Sequence, residues 1–240
     1  MTNPVDERFY GRRHGKRLKS SRLFLMENLL PKIAIAEPEN KKKPIDFTAM
    51  FGFKPAQVWL EVGFGGGEHL AAQALKHKDV AFIGAEPFLN GVASLLVHLN
   101  TDTNVVDETH LINPARADNV RVYPDDIRHL FPVFEDESFE RIFVLYPDPW
   151  PKARHEDRRF IGQKNLPEIA RLLTKTGELR IATDVEQYAA WAQEQVELSG
   201  LFVRINEDIR KPFEDWVTTR YEQKGLKAGR TPTYLIYRRK

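Results

Sequence analysis

The sequence predicts an α/β fold, a mostly parallel sheet with helices on both faces. Two observations carry this. From Pro55 onward, apolar runs of four to six residues alternate with longer segments whose apolar residues recur at helical spacing. Such alternation implies parallel strands joined by crossover helices. The chain has 240 residues, 42% of them apolar and 29% charged, which is enough apolar surface for one sizeable α/β domain.

The elements follow in order. Val58 to Val62 is a strand ending at Gly63, and His69 to Leu75 has helical spacing. Val80 to Ala85 is a second strand, and Phe88 to Leu99 carries a helical apolar stripe. Asp102 to Asp118 is polar and aperiodic, a surface insertion. Val120 to Tyr123 and Arg141 to Leu145 are the third and fourth strands. A helix over Leu166 to Leu173 stops before Gly177, a candidate left-handed C-terminal residue, and Glu178 to Ala182 is the fifth strand. Thr183 and Glu186 have the spacing of a capping box for a helix over Tyr188 to Leu198. Phe202 to Ile205 and Tyr234 to Tyr237 complete seven strands. Between them, Thr218 to Gly225 shows neither period and reads as a polar loop.

Residues 1 to about 50 read as a basic, irregular, partly disordered extension, broken by Gly11, Gly15, Pro31, Pro38 and Pro44, ahead of a folded domain over 51–240. Its stretch Leu23 to Leu30 is apolar enough to dock on that domain. Seven cations and no acid lie between Arg8 and Arg22, in a protein of net charge +2. Local clusters of this kind, with Lys41 to Lys43 and Lys152 to Arg159, can form a phosphate-binding face; the competing reading is a solvated surface. No window approaches the roughly 18 apolar residues of a membrane span, and Met1 to Lys19 lacks the apolar core of a signal peptide. There is no cysteine, which excludes disulfides and thiolate metal sites and makes the cytoplasm the expected compartment. The seven histidines show no metal-ligand pair on a predicted helix, so no metal is expected.

In such sheets ligands bind beyond the carboxyl ends of the strands. Glu61, Glu86, Asp125, Asp148 and Asp184 all stand there. Glu61-Val62-Gly63-Phe64-Gly65-Gly66-Gly67 is a strand leading into a glycine-rich turn. Gly63 and Gly65 permit positive φ and close backbone approach. A glycine turn alone is shared with nicotinamide and flavin enzymes. Glu61 separates the readings, because its carboxylate repels a pyrophosphate and attracts the ammonium and sulfonium of S-adenosyl-L-methionine. Glu86, 25 residues later, is placed to accept two ribose hydroxyls. Asp125 follows the third strand, where an adenine would lie; capping the turn over Asp126 to Leu130 is nearly as good a reading.

Tyr146-Pro147-Asp148-Pro149-Trp150-Pro151-Lys152 clamps an acid between two prolines and two aromatics. Tyr146 and Trp150 offer stacking surfaces for a base, and Lys152, Arg154, Arg158 and Arg159 offer cations to its phosphates. An Asp beside Pro is also ordinary turn chemistry. Asp184 points from a strand end toward the same crevice, and the 218–225 loop can present Thr219 and Glu222 to it.

Together Glu61 to Gly67, the run Pro147 to His155, Ala182-Thr183-Asp184 and Thr219-Arg220-Tyr221-Glu222 resemble the bacterial tRNA (guanine-N7-)-methyltransferase family, from about Arg8 to Lys240. The resemblance implies a seven-stranded Rossmann-like class I S-adenosylmethionine-dependent methyltransferase fold. It implies that Glu61, Glu86, Asp125 and Asp148 contact S-adenosyl-L-methionine, that Asp148 is catalytic, and that Lys152, Asp184, Thr219, Arg220, Tyr221 and Glu222 contact the guanosine. The implied product is 7-methylguanosine at the variable-loop guanine, tRNA position 46. The chain departs from the family in its long 102–118 insertion and in Asp126, where a small residue is common, so either Asp125 or Asp126 could meet the adenine. A methyltransferase acting on another RNA base and an inactive RNA-binding protein of the same fold are the alternatives. The expected partner is tRNA, with no membrane and no metal, and the expected state a monomer or weak homodimer.

Overall fold

A computed structural model describes residues 10–37, 43–100 and 118–240. The predicted insertion, apart from Asp118, lies outside the described residues, as do Lys41 and Lys42. Seven strands, β1 (Gln57–Val62), β2 (Val80–Ala85), β3 (Val120–Tyr123), β4 (Phe139–Leu145), β5 (Leu173–Thr183), β6 (Phe202–Arg204) and β7 (Thr233–Arg239), form one sheet. Their order is β3-β2-β1-β4-β5-β7-β6. Only β7 runs against its neighbours β5 and β6; the other pairs are parallel.

The alternation of side chains explains why both faces are covered. In β1, Trp59 packs to one side and Leu60 to the other; Phe82 and Ile83 in β2, and Phe143 and Val144 in β4, split in the same way. Each side is a buried cluster, as expected of parallel strands enclosed between two helical layers. Helices α1 (Ser20–Asn28), α4 (Glu68–Lys76) and α5 (Leu89–Asn100) supply buried residues to the Trp59 side; α6 (Leu166–Leu172) and α7 (Glu186–Ser199) supply the Leu60 side. Short helices α2 (Leu30–Ile33) and α3 (Phe47–Phe51) and the helix α8 (Arg220–Lys227) complete the set. Among the described residues no helix is long and apolar enough to cross a membrane, and no group of three or more His, Cys, Asp or Glu could hold a metal ion.

Four expectations change. The N-terminal segment is not irregular throughout: α1 buries Leu25 and α2 buries Ile33, and Ala34 bridges to Val122 beside β3. Of the residues that read as breaks, Pro31 stands in the first turn of α2, and Pro38 lies outside the described residues. Second, Gly177 does not cap a helix. Leu173 is already extended and paired with Phe139, and residues 174–177 bulge out opposite the single residue Glu140. Third, Thr183 is not a helix cap. It belongs to β5, and its Oγ1 accepts from Val185 N at 3.2 Å, while α7 starts without a side-chain cap. Fourth, the predicted 218–225 loop is α8. Thr219 Oγ1 caps it by accepting from Glu222 N at 3.1 Å. The Thr-x-x-Glu spacing occurs twice in the sequence, and the second copy is the one that starts a helix. The helix escaped detection because its buried residues are Glu222 and Gly225, which leave no apolar stripe to read.

Candidate active site

The strand order reverses between β1 and β4, so a crevice opens beyond their carboxyl ends. A cavity of ≈ 600 Å³ lies there, lined by Glu61, Gly63, Gly65, Glu86, Asp125, Asp148, Thr219 and Tyr221 among others. That volume is in the range of small-molecule sites.

Each strand end contributes an acid in a different state. Glu61, 3% exposed, sits at 2.7 Å from Nδ1 of His69, which is itself buried in α4 between the Phe143 and Trp216 rings. Glu86 takes the N–H of Gly65 at 2.7 Å on one carboxylate oxygen and that of Phe88 at 2.8 Å on the other. It thereby closes the glycine turn onto β2. Burial pushes its carboxyl up to about 7, against the pull of those two N–H groups and with Asp148 and Glu61 adding to the rise. Gly65 has φ +56, and a Cβ there would stand 2.9 Å from the Tyr221 ring, so the turn needs glycine both for its backbone and for the ring above it.

Asp125 forms a two-armed ion pair with Arg13, at 3.0 and 2.6 Å, and accepts from Asp126 N. Burial pushes its carboxyl up, but the guanidinium and the N–H outweigh this and hold it below the usual range. Asp126, in turn, caps the 3-10 turn Ile127–His129 and is gripped by Arg128. The capping role considered for Asp125 therefore falls to Asp126, and both acids remain in the cavity wall.

The Asp148 loop leaves β4 through Tyr146, whose N–H reaches Ala182 O at 2.7 Å. Asp148 is exposed in the cavity, and partial desolvation by the surrounding wall raises its carboxyl above the usual range. Tyr146 and Trp150 on either side both have positive φ, 51° and 40°. They are less free to stack on a base than the sequence suggests. The Tyr146 hydroxyl is buried, near Glu222 and Tyr234. Trp150 packs edge-on against Tyr10 and beneath the Arg158 guanidinium.

The sequence matches a family model described as "Putative methyltransferase" over residues 55–235. It is 46% identical over 235 residues to the tRNA (guanine-N(7)-)-methyltransferase of Paramagnetospirillum magneticum, covering 97% of this chain and 93% of that one. The protein of the same name from Ruegeria sp. is 45% identical over 237 residues, covering 96% and 87%. The chain belongs to the tRNA (guanine-N(7)-)-methyltransferase family. Among solved structures, the aminoglycoside resistance methyltransferase NpmB1 matches with a TM-score of 0.51 at 15% identity, over 78% of this chain and 88% of that one, a likeness of fold.

In this methyltransferase the remaining site candidates divide. Thr219 and Tyr221 line the cavity, at the start of α8. Lys152 and Arg220 are exposed outside it. Asp184 and Glu222 are turned away from it. The Asp184 carboxylate accepts from Arg230 Nε at 2.8 Å and lies against Gly225, so it seats α8. Glu222 is 3% exposed and accepts from Trp216 Nε1 at 2.8 Å and from the Tyr234 hydroxyl. Arg159, read from sequence as a phosphate contact, is buried and bonded to backbone carbonyls. Three features escaped the sequence reading. His69 is the partner of Glu61; its one signal is its place on the first helix after the glycine turn. Tyr10, Gly11 and Arg12 line the cavity as a strap, with Arg13 fastened to Asp125; only the cluster of cations hinted at it. Trp216 and Tyr234 are far apart in the chain, and packing alone joins them over Glu222.

Proposed function

We propose that this enzyme transfers the methyl group of S-adenosylmethionine to N7 of the variable-loop guanine of tRNA, position 46, giving 7-methylguanosine. The observation that carries the reading is the convergence of Glu61, Glu86 and Asp148 on one cavity at the switch point. Seven acids (Glu61, Glu68, Glu86, Asp125, Asp126, Asp148 and Asp157) against four arginines (Arg12, Arg128, Arg158 and Arg159) line the cavity, so it is short of positive charge. It suits a cationic ligand and opposes the pyrophosphate of a dinucleotide. The relatives' names and the exposed cations Lys152, Arg154 and Arg220 around the mouth support tRNA as the substrate.

The residues fit the donor. Glu61, oriented by His69, would face the cationic end; Glu86 would accept two ribose hydroxyls; Asp125 and Asp126 stand where an adenine would lie. Bound there, S-adenosylmethionine supplies a sulfonium-activated methyl group, which the N7 lone pair takes as the carbon–sulfur bond breaks, with no proton to remove. The protein's contribution is then alignment and charge stabilisation. Asp148 would accept from the guanine N1–H or 2-amino group and offset the positive charge appearing on the imidazole ring. Thr219 and Tyr221 would border the base. Lys152, Arg154, Arg158 and Arg220 would meet phosphates around the rim. Asp184 and Glu222 would serve the guanosine through α8, by holding Thr219 and Tyr221 in place.

Bulk tRNA is to be methylated with labelled cofactor and then cleaved at 7-methylguanosine. Cleavage in the variable loop is expected; label elsewhere in the tRNA, or none, sinks the assignment. For Asp148→Ala the expectation is a loss of about 10²–10³-fold in kcat with S-adenosylmethionine affinity retained. Parental kcat in that variant would remove Asp148 from the chemistry.

A further inference from the structure

Arg159 ends the basic run that follows Asp148, and it does not behave as a member of that run. Lys152 and Arg154 are exposed, whereas Arg159 is 5% exposed. Its Nε donates to Pro149 O at 3.0 Å and its Nη2 to Trp150 O at 3.0 Å. The guanidinium lies 4.4 Å over the Trp191 ring of α7, and the Trp191 indole N–H is fixed on Ile161 O at 2.8 Å. Among the described residues, the acid paired with it is Glu156, at 3.6 Å. A buried cation is costly unless its donors are used. Here two of them go to the carbonyls that immediately follow Asp148.

The loop needs such an external hold. Pro147, Pro149 and Pro151 have no N–H to donate. Among the described residues, the last bond to the sheet is that of Tyr146 N, and the hydrogen bonds to the backbone of residues 147–151 all come from Arg159. Tyr146 and Trp150 adopt positive φ without being glycine. Aromatic residues persist in that region only where their surroundings over-determine them. Tyr146 is anchored by the sheet and by its partly buried ring, whose hydroxyl is fully enclosed. Trp150 is anchored by the guanidinium on its carbonyl.

We propose that Arg159 is a positioning residue, which acts through the carbonyls of Pro149 and Trp150 to hold the Asp148 carboxylate at its working place in the cavity. The planar fork matters as well as the charge, because a lysine ammonium cannot span two carbonyls in a fixed geometry. This inference rests on the reading of Asp148 given above.

The test compares Arg159→Lys, Asp148→Ala and the double variant on tRNA. Arg159→Lys is expected to lower kcat by about 10–10²-fold, as a small misplacement of an aligning group does. S-adenosylmethionine and tRNA affinities should stay within about threefold of the parent, with an unaltered salt dependence of tRNA binding. The double variant should be no slower than Asp148→Ala alone, since residues acting as one unit are not additive. Three results overturn the inference: parental kcat in Arg159→Lys; a tRNA affinity that falls in step with kcat with a flattened salt slope, the mark of a phosphate contact; or losses that multiply in the double variant. Should Arg159→Lys not fold, Trp191→Leu removes the ring beneath the guanidinium, and an unchanged kcat there is equally decisive against it. Full activity of Asp148→Ala would instead refute the underlying site assignment, which separates the two failures.

Discussion

Glu86 shows how one residue can serve structure and ligand together. Its two oxygens tie the glycine turn and the start of the next segment to the end of β2, through Gly65 N and Phe88 N. Its carboxyl stands at about 7 against an ordinary 4.5. The native state therefore holds more protons than the unfolded chain between those values, and Glu86 makes the fold less stable as pH rises through that window. Binding runs the other way, because a diol donates to the ionised form. Affinity for S-adenosylmethionine is expected to rise from about pH 5.5 to about pH 8, by up to about tenfold per unit below pH 7, and to lose that slope in Glu86→Gln. Calorimetry across the range checks it, and a flat profile in the parent would show that Glu86 does not meet the ligand as a carboxylate. The acids Glu61, Glu86 and Asp148 were legible from sequence because Glu61 is the penultimate residue of an apolar strand, β1, and the other two follow β2 and β4. His69 was not, because a histidine on an apolar helix face carries no mark of the carboxylate it will meet.

At the level of elements, α8 is the informative one. It places Thr219 and Tyr221 at the cavity while Arg220, Lys224 and Lys227 share its outer face at helical spacing. Its inner face is held by polar contacts, Glu222 on Trp216 and Tyr234, and Gly225 against the Asp184 carboxylate. An alanine at 225 would be favoured by intrinsic helix propensity by about 1 kcal/mol. Its Cβ, however, would overlap that carboxylate, which is short, 9% exposed and already engaged by Arg230. Overlap outweighs propensity here. Gly225→Ala is expected to destabilise the protein by about 1–3 kcal/mol, lowering Tm by roughly 2–4 °C per kcal/mol. Asp184→Ala added to it should recover part of that loss. Thermal unfolding decides, and a Gly225→Ala protein as stable as the parent would refute the seating of α8 on Asp184. Sequence periodicity missed α8 for the same reason that makes it testable: polar and glycine contacts dock it.

Across the whole molecule, the N-terminal segment packs on the head of α5 and forms part of the wall of the cavity at the strand ends. Gly15 N donates to Asn90, Arg13 O accepts from Leu89 N at the head of α5, and Tyr10 to Arg12 form part of the cavity wall. A basic arm read from sequence as a phosphate contact is thus also part of the wall that would face the adenine. Removing residues 2–17 is expected to weaken S-adenosylmethionine binding by about tenfold, as loss of a two-armed ion pair and its wall would. The same truncation should weaken tRNA binding and flatten its salt dependence, because fewer counterions are released. Paired titrations with the two ligands distinguish the roles: an altered salt slope with parental cofactor affinity would leave the arm on the substrate side alone.

The sequence by itself determined the α/β class, the seven strands, the glycine turn and the acids at the strand ends. Those features are written in local periodicity and in residues that must follow a strand. Tertiary structure alone decided which charged groups are available. It buried Glu222, Asp184 and Arg159 in supporting contacts, paired Asp125 with Arg13 across 112 residues, and left Asp148 facing the cavity. The physical reason is that a charged side chain has the same sequence signature whether it meets a ligand, a backbone carbonyl or another charge, and only packing brings the deciding partner within reach.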